Sequence, residues 1–423
     1  MIKRIFIIGI AWIIAIIGIQ AQQVVRYASV DDPALVPPVI NTHPSKKYNA
    51  KNLDYGMTIG IERTPKGRIW ACWVGGGDDS KAFFVLAYSD NDGEKWSKTK
   101  VVIDPHDKNL EENRRTIVGN LWTDPKGRLW LFFDQAMTYY DGRGGMWYTI
   151  CENPDDKLPV WSAPIRFCNG FALNKPTILP NGSWMLPVSL WNRQVIDIIL
   201  DKSRRRNIYH DSYHELDSLR GAQVYLTQDE GKTWKFQGMV KFPKPRHDEH
   251  HVTVLKDGSL WMTCRTMDGI WQSFSQDEGK TWSVPTKYLE HVNSRHFIRR
   301  LSSGKLLLVK HGKPNENTLK RSHLAAYLSD DDGRSWKGGL MLDERTGVSY
   351  PDGFEAPDHS IYISYDHNRS KDGEILMARF TEQDILAGKI ISPKGRLQMI
   401  ISKPGKIKKG YRMRETARKN KQK

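Results

Sequence analysis

One eight-residue pattern constrains this chain more than any other feature, because it occurs four times: SDNDGEKW (89–96), TQDEGKTW (227–234), SQDEGKTW (275–282) and SDDDGRSW (329–336), with Asn91 in the Asp position of the first copy. The Asp carboxylate can accept backbone N–H bonds within a tight turn, the Gly supplies a left-handed residue, and the Trp packs between neighbouring strands. These aspartates are therefore read as turn geometry and not as catalytic groups. A second element recurs between the copies, a hairpin turn running into an apolar, aromatic strand. It appears at TPKGRIW (64–70), DPKGRLW (124–130), LPNGSWML (179–186), LKDGSLWM (255–262), LSSGKLLL (301–308) and APDHSIYI (356–363). In each, Gly, Asn or Asp is expected to supply positive φ.

A turn-and-strand unit cannot bury its own faces alone, so such units stack radially as four-stranded blades. Six turns predict an all-β, six-bladed β-propeller over residues 23–400. The chain of 423 residues carries 15 Trp and 16 Tyr beside 34 Gly and 21 Pro, a mixture that favours short strands over long helices. With 39% hydrophobic and 26% charged residues it is neither a disordered polymer nor a multi-spanning membrane protein. The longest insertion, residues 193–220 with SRRR and two His, is expected to form a loop over one rim, and Glu382–Leu386 is one of the short helical fragments.

The net charge of +16 suggests a polyanion binder until it is located. Residues 403–423 hold ten Lys or Arg against one Glu, and Lys3 with Arg4 adds two more, so the body of the chain is only weakly basic. Residues 401–423 are read as a mobile basic tail and not as a nucleic-acid arm; binding there would be strongly salt-dependent. The start, Met1–Arg4 followed by apolar Ile5–Ile19 and then Gln20, Ala21 and Gln22, reads as a signal peptide over residues 1–22. Secretion or a periplasmic location follows, with no membrane span after cleavage. The four cysteines (72, 151, 168 and 264) match no zinc pattern. Cys151 and Cys168 are compatible with a disulfide in an exported protein and equally with separate apolar cores. No cofactor and no metal site are expected.

With its repeated Asp boxes the chain resembles the sialidase superfamily over nearly its whole mature length. That resemblance implies site residues one position at a time. The Arg-Ile-Pro element that opens the first blade in sialidases falls on Met57, Thr58 and Ile59, so its arginine is missing. A Glu nine residues before a turn Gly, with an Arg seven residues after it, falls on Glu249, Gly258 and Arg265. The Arg eight residues before an Asp box is Arg321, and the tyrosine of the last blade is Tyr350 in GVSYPDGF. The acid/base aspartate falls on Asp79 or Asp78 in GGGDDSK.

The chemistry open to these groups can be stated from the residues themselves. A phenol is a poor nucleophile near its ordinary pKa, and an adjacent carboxylate such as Glu249 can take its proton. A tyrosine suits a sugar that itself bears a carboxylate, which would repel a carboxylate nucleophile. Asp79 or Asp78 would protonate the leaving oxygen, while Arg265 and Arg321 would hold the sugar carboxylate through charge-assisted bonds. Glu249 lies in the cluster RHDEHH (246–251), where strand alternation puts Glu249 and His251 on one face and His250 on the other. His251 is thus a candidate binding residue, and the cluster's spacing is not a metal signature. Arg114 and Arg115 are candidates to replace the arginine missing at position 57. Tyr139, Tyr140, His296, Asp366 and Arg369 also fall where a central channel should be. The expected activity is retaining hydrolysis of a terminal acidic sugar on a glycan by a monomeric enzyme. The alternatives are a polysaccharide lyase or other glycosidase acting on uronate- or rhamnose-bearing glycans, and a non-catalytic glycan-binding propeller.

Overall fold

Each predicted turn joins two consecutive, paired strands of a sheet in the computed structural model, which describes residues 32–193 and 212–407. Strands β1 (Met57–Arg63), β2 (Ile69–Gly75), β3 (Phe83–Ser89) and β4 (Val101–Ile103) form the first sheet. The second holds β5 (Arg114–Arg115), β6 (Gly119–Thr123), β7 (Leu129–Met137), β8 (Gly145–Cys151) and β9 (Ile165–Asn169). The third holds β10 (Thr177–Ile178), β11 (Trp184–Leu190), β12 (Gly221–Thr227) and β13 (Lys235–Val240). The fourth holds β14 (His251–Val254), β15 (Leu260–Thr266), β16 (Gly269–Ser275) and β17 (Thr286–Leu289). The fifth holds β18 (Phe297–Arg300), β19 (Leu306–His311), β20 (Leu324–Ser329) and β21 (Lys337–Asp343). The sixth holds β22 (Val348–Glu355), β23 (Ile361–His367), β24 (Glu374–Phe380) and β25 (Arg396–Ser402). All pairings are antiparallel, and each sheet is drawn from one continuous run of chain. The architecture is a six-bladed β-propeller.

The turns work as expected in five blades, where Gly67, Gly127, Gly182, Gly258 and Gly304 all have left-handed φ. The sixth has no glycine, and His359 takes the left-handed place instead of Asn or Asp, with φ 60°. The Asp boxes join the third and fourth strands of their blades. In the box that follows β12, Thr227 Oγ1 accepts from the Gly231 N–H at 2.9 Å, and Asp229 Oδ1 accepts from the Thr233 N–H at 2.9 Å. Gly231 has φ 84°, and a Cβ there would lie 2.3 Å from the Trp130 ring of the preceding blade. Trp234 completes an aromatic layer with Trp130, Phe132, Trp122 and Trp184 between the second and third blades. Each fully buried ring of this kind contributes roughly 2–3 kcal/mol. A degenerate fifth box lies between β8 and β9. Asn153 there accepts from the Val160 N–H at 2.9 Å and Trp161 follows, with three residues inserted into the pattern. In the sixth blade a short helix, α1 (Glu382–Ala387), replaces the box; Thr381 and Asp384 close its first turn as a capping box.

The inner strands meet in a buried polar network around the axis. Asp352 of β22 accepts from the Ile61 N–H at 3.0 Å and from Asn120 Nδ2 at 3.1 Å, and it pairs with Arg295 at 3.1 Å and Lys175 at 3.2 Å. Lys175 also donates to the Ile61 and Leu121 carbonyls, and Arg295 to Asn174, which in turn holds the Glu249 and His250 carbonyls. All six blades are tied at one place, and the charges balance: two cations against Asp352 and Glu62.

All four cysteines are buried and free, so Cys151 and Cys168 belong to cores and not to a disulfide. The expected signal peptide, residues 194–211 of the insertion and residues 408–423 of the basic tail lie outside the described residues. Among the described residues, no helix is long and apolar enough to cross a membrane. Within the short segment from Asp32 to Val36, Asp32 caps a single 3-10 turn, Pro33–Leu35.

Candidate active site

Tyr350 stands where β22 departs from regular pairing. The β22–β23 register slips between Ser349 and Asp352, and Tyr350 has φ 58°, a left-handed backbone that bulky residues rarely adopt. Holding a tyrosine there costs on the order of 1–3 kcal/mol and aims its side chain out of the pleat. Asp248, just before β14, is left-handed as well, with φ 43°, and turns Glu249 inward. As a result the Tyr350 hydroxyl donates to Glu249 Oε1 at 2.6 Å across the ring from the fourth blade. Arg265 of β15 lies 2.7 Å from Glu249 Oε2 and donates to the Tyr350 oxygen at 3.3 Å, while Asn293 accepts from its other nitrogens.

Two further guanidiniums face the same phenol. Arg369 lies 4.0 Å and Arg321 5.6 Å from the Tyr350 ring centroid. Arg369 is tethered by Asp366 Oδ1 and Ser349 Oγ, each at 3.0 Å. Arg321 donates to the Asn293 carbonyl at 3.0 Å, and no carboxylate among the described residues pairs with it. Burial, then the charges of Arg265 and Arg369, lower its pKa to about 10. Burial pushes the Glu249 carboxyl up, but Arg265, His247 and the Tyr350 hydroxyl together bring it down to about 2. Burial, followed by the Glu249 charge, raises the Tyr350 phenol despite the three arginines. Asp78 lies across this group, with Oδ2 3.5 Å from Arg369 Nη1, and its charge is felt by Tyr55 and Tyr139.

Residues 67–363, well over half of the chain, match the family described as the BNR repeat-like domain. The chain belongs to that family. No curated protein matches this BNR-repeat protein in sequence. Solved structures share its fold at low identity. A leech intramolecular trans-sialidase aligns at 12% identity over 86% of this chain and 73% of its own, with TM-score 0.61. The intramolecular trans-sialidase from Ruminococcus gnavus aligns at 12% identity over 82% and 98%, with TM-score 0.59. The Hadza microbial sialidase Hz136 aligns at 15% identity over 75% of this chain and 64% of its own, with TM-score 0.55. At these identities the likeness is one of fold.

The structure of the BNR-repeat protein brings together Tyr350, Glu249, Arg265, Arg321 and Asp78. It sets other expected residues apart. Asp79 turns away, its Oδ1 accepting from the Lys81 N–H at 2.8 Å. Arg115 is fully buried in an ion pair with Asp134 and donates to the Thr138 and Tyr139 carbonyls, so it shapes the turn that carries Tyr139. Arg114 donates to the Pro105 carbonyl at 2.9 Å. His251 uses Nε2 on the His296 carbonyl at 2.9 Å and packs against His296 and Phe297. His250 bonds to the Asp248 and Gln223 carbonyls. Strand alternation fails to predict this because β14 begins only at His251. Among the described residues, no cluster of three His, Cys, Asp or Glu could hold a metal ion. The reading from sequence did not single out Tyr55 or Asn293. Tyr55 stands two residues before Met57 at the entry to β1, a position that could have drawn attention to it.

Proposed function

We propose that this protein is a retaining glycosidase of the sialidase type, releasing a terminal acidic sugar from a glycan, with Tyr350 as nucleophile. The observation that supports this most is the 2.6 Å Tyr350–Glu249 hydrogen bond under three guanidiniums, one of which has no carboxylate partner among the described residues. An acidic sugar would lay its carboxylate on Arg265 and Arg321 with its anomeric carbon against the Tyr350 oxygen. That oxygen attacks as its proton passes to Glu249, the glycosidic C–O bond breaks, and Asp78 protonates the departing oxygen. In the second half, Asp78 takes a proton from water, the water oxygen attacks the anomeric carbon as its bond to the Tyr350 oxygen breaks, and Glu249 returns its proton to the released phenolate. Glu249 at about 2 is a weak acceptor in the free protein. A bound carboxylate that takes up part of the Arg265 charge makes it a stronger base, so the reaction is matched to anionic sugars.

A lyase would need a base at the sugar, His251 or Tyr350; His251 is occupied by the His296 carbonyl, which leaves Tyr350 alone for that role. Secretion suits this activity, and the basic and apolar start of the chain supports it. The test is a screen of products released from sialylated, uronate-bearing and rhamnose-bearing glycans by wild type, Tyr350→Phe, Asp78→Asn and Asp79→Asn. Wild type should release an acidic sugar with retained anomeric configuration. Tyr350→Phe and Asp78→Asn should each lose about 100-fold or more, and Asp79→Asn should stay near wild type. An unsaturated product, or full activity in Tyr350→Phe, would refute the mechanism.

A further inference from the structure

Three guanidiniums surround Tyr350. Arg265 pairs with Glu249, and Arg369 with Asp366 and, at 3.5 Å, with Asp78, whereas no carboxylate among the described residues pairs with Arg321, which donates to the Asn293 carbonyl. Arg321 is thus the guanidinium left open to an anionic ligand. Arg369 is oriented for such a ligand: its Nε and Nη2 are taken by Asp366 and Ser349, and its remaining arm, Nη1, has Asp78 at 3.5 Å, beyond a good hydrogen bond. Beside it, the Tyr55 hydroxyl is buried and has no hydrogen-bond partner among the described residues, within the fields of Asp78, Arg369, Asp366 and Tyr350. Buried hydroxyls are almost always satisfied, so an orphan next to an incompletely used guanidinium points to a missing acceptor. The first blade supplies no cation here, since Met57 is apolar and packs in the same cluster as Tyr55 and Tyr350.

We propose that Arg369 and Tyr55 complete the carboxylate clamp with Arg265 and Arg321, so that a sugar carboxylate is gripped from both the first and the last blade. This rests on the reading of the site as one for acidic sugars. Arg369 gives Nη1 and Tyr55 gives its hydroxyl to the carboxylate, while Asp366 fixes the guanidinium plane. Both are positioning and specificity residues: they bind the acid group and leave bond breaking to Tyr350, Glu249 and Asp78.

The experiment is calorimetric titration with the glycal form of sialic acid and with its methyl ester, and with glucuronic acid and its methyl ester, on the full chain. Arg369→Lys keeps the charge beside Asp366 but loses the fork. It should weaken the acid about 10- to 100-fold and leave the ester unchanged. Tyr55→Phe should weaken the acid about 5- to 10-fold, and the control Arg114→Lys should match wild type. If Arg369→Lys does not fold, as judged by thermal melting, the acid-to-ester ratio of Tyr55→Phe decides. Arg369→Lys or, in that case, Tyr55→Phe binding the acid within twofold of wild type overturns the clamp. A different failure belongs to the underlying reading: wild type binding neither acid more tightly than its ester overturns the acidic-sugar site itself. If glucuronic acid is the acid preferred, the same ratios on the same variants decide.

Discussion

Lowering the pH from 7 to 5 should destabilise this protein through histidines that the fold keeps neutral. His247, His296 and His311 are each held at about 3, by burial first and then by nearby cations such as Arg265, Arg295 and Arg321. Once unfolded, each would titrate near 6.5. Because the folded pKa lies below the unfolded one, the unfolded chain binds more protons throughout this window, and stability falls as the pH drops from about 6.5 towards 3. Between pH 7 and 5 each histidine withdraws about 2 kcal/mol, and the three together about 6 kcal/mol. His250, His251 and His291 are also pushed down and add to the loss. Asp248 opposes them. Burial and the Glu249 charge raise it to about 7, so the folded protein takes up its proton first and regains about 2 kcal/mol over the same range. For His247, His296, His311 and Asp248 together the loss is on the order of 4 kcal/mol, a large share of a typical total of about 5–15 kcal/mol. Urea unfolding followed by tryptophan fluorescence at the two pH values measures it. Asp248→Asn should enlarge the loss by about 2 kcal/mol and His311→Gln should reduce it by about 2 kcal/mol. A wild type whose stability changes by less than about 1 kcal/mol would refute the claim that these rings are neutral in the fold.

Asp352→Ala should cost about 3–5 kcal/mol, because it leaves Lys175 and Arg295 buried with one carboxylate between them; chemical denaturation checks this. Gly231→Ala combines a left-handed backbone with overlap on Trp130 and should cost about 2–4 kcal/mol. The companion Gly182→Ala has the same backbone but open space around it, and should cost only about 1–2 kcal/mol, so equal losses in the two would remove the packing argument.

The blade count was legible because its signals are local: a turn, its glycine and the strand beyond it lie within eight residues. The second blade's Asp box was not, since its three-residue insertion hides the relation of Asn153 to Trp161. The resemblance to sialidases, carried over position by position, also led to Glu249, Arg265, Arg321 and Tyr350, which the structure brings together. It did not separate Asp78 from Asp79, because in a glycine-rich turn neighbouring side chains follow no strand alternation. Nor did it find what stands near Met57 in place of an arginine. Arg114 and Arg115 lie nearer to Met57 along the chain, whereas Arg369 arrives from the adjoining sixth blade, about three hundred residues further on. Such substitution across blades leaves no mark in linear spacing.

Among the described residues no strand is exchanged between the first and sixth sheets, and their join has no shared ladder. Instead, carboxylates from the sixth blade accept from β1 N–H groups, Asp366 from Thr58 at 3.2 Å and Asp352 from Ile61 at 3.0 Å. Tyr350 and Arg369 flank this join on one side, Tyr55 and Asp78 on the other. An occupant held by both sides would act as a rivet across this circumferential joint of the wheel. Saturating the pocket should then slow hydrogen exchange at Thr58 and Ile61, far in sequence from most of the groups that touch the ligand.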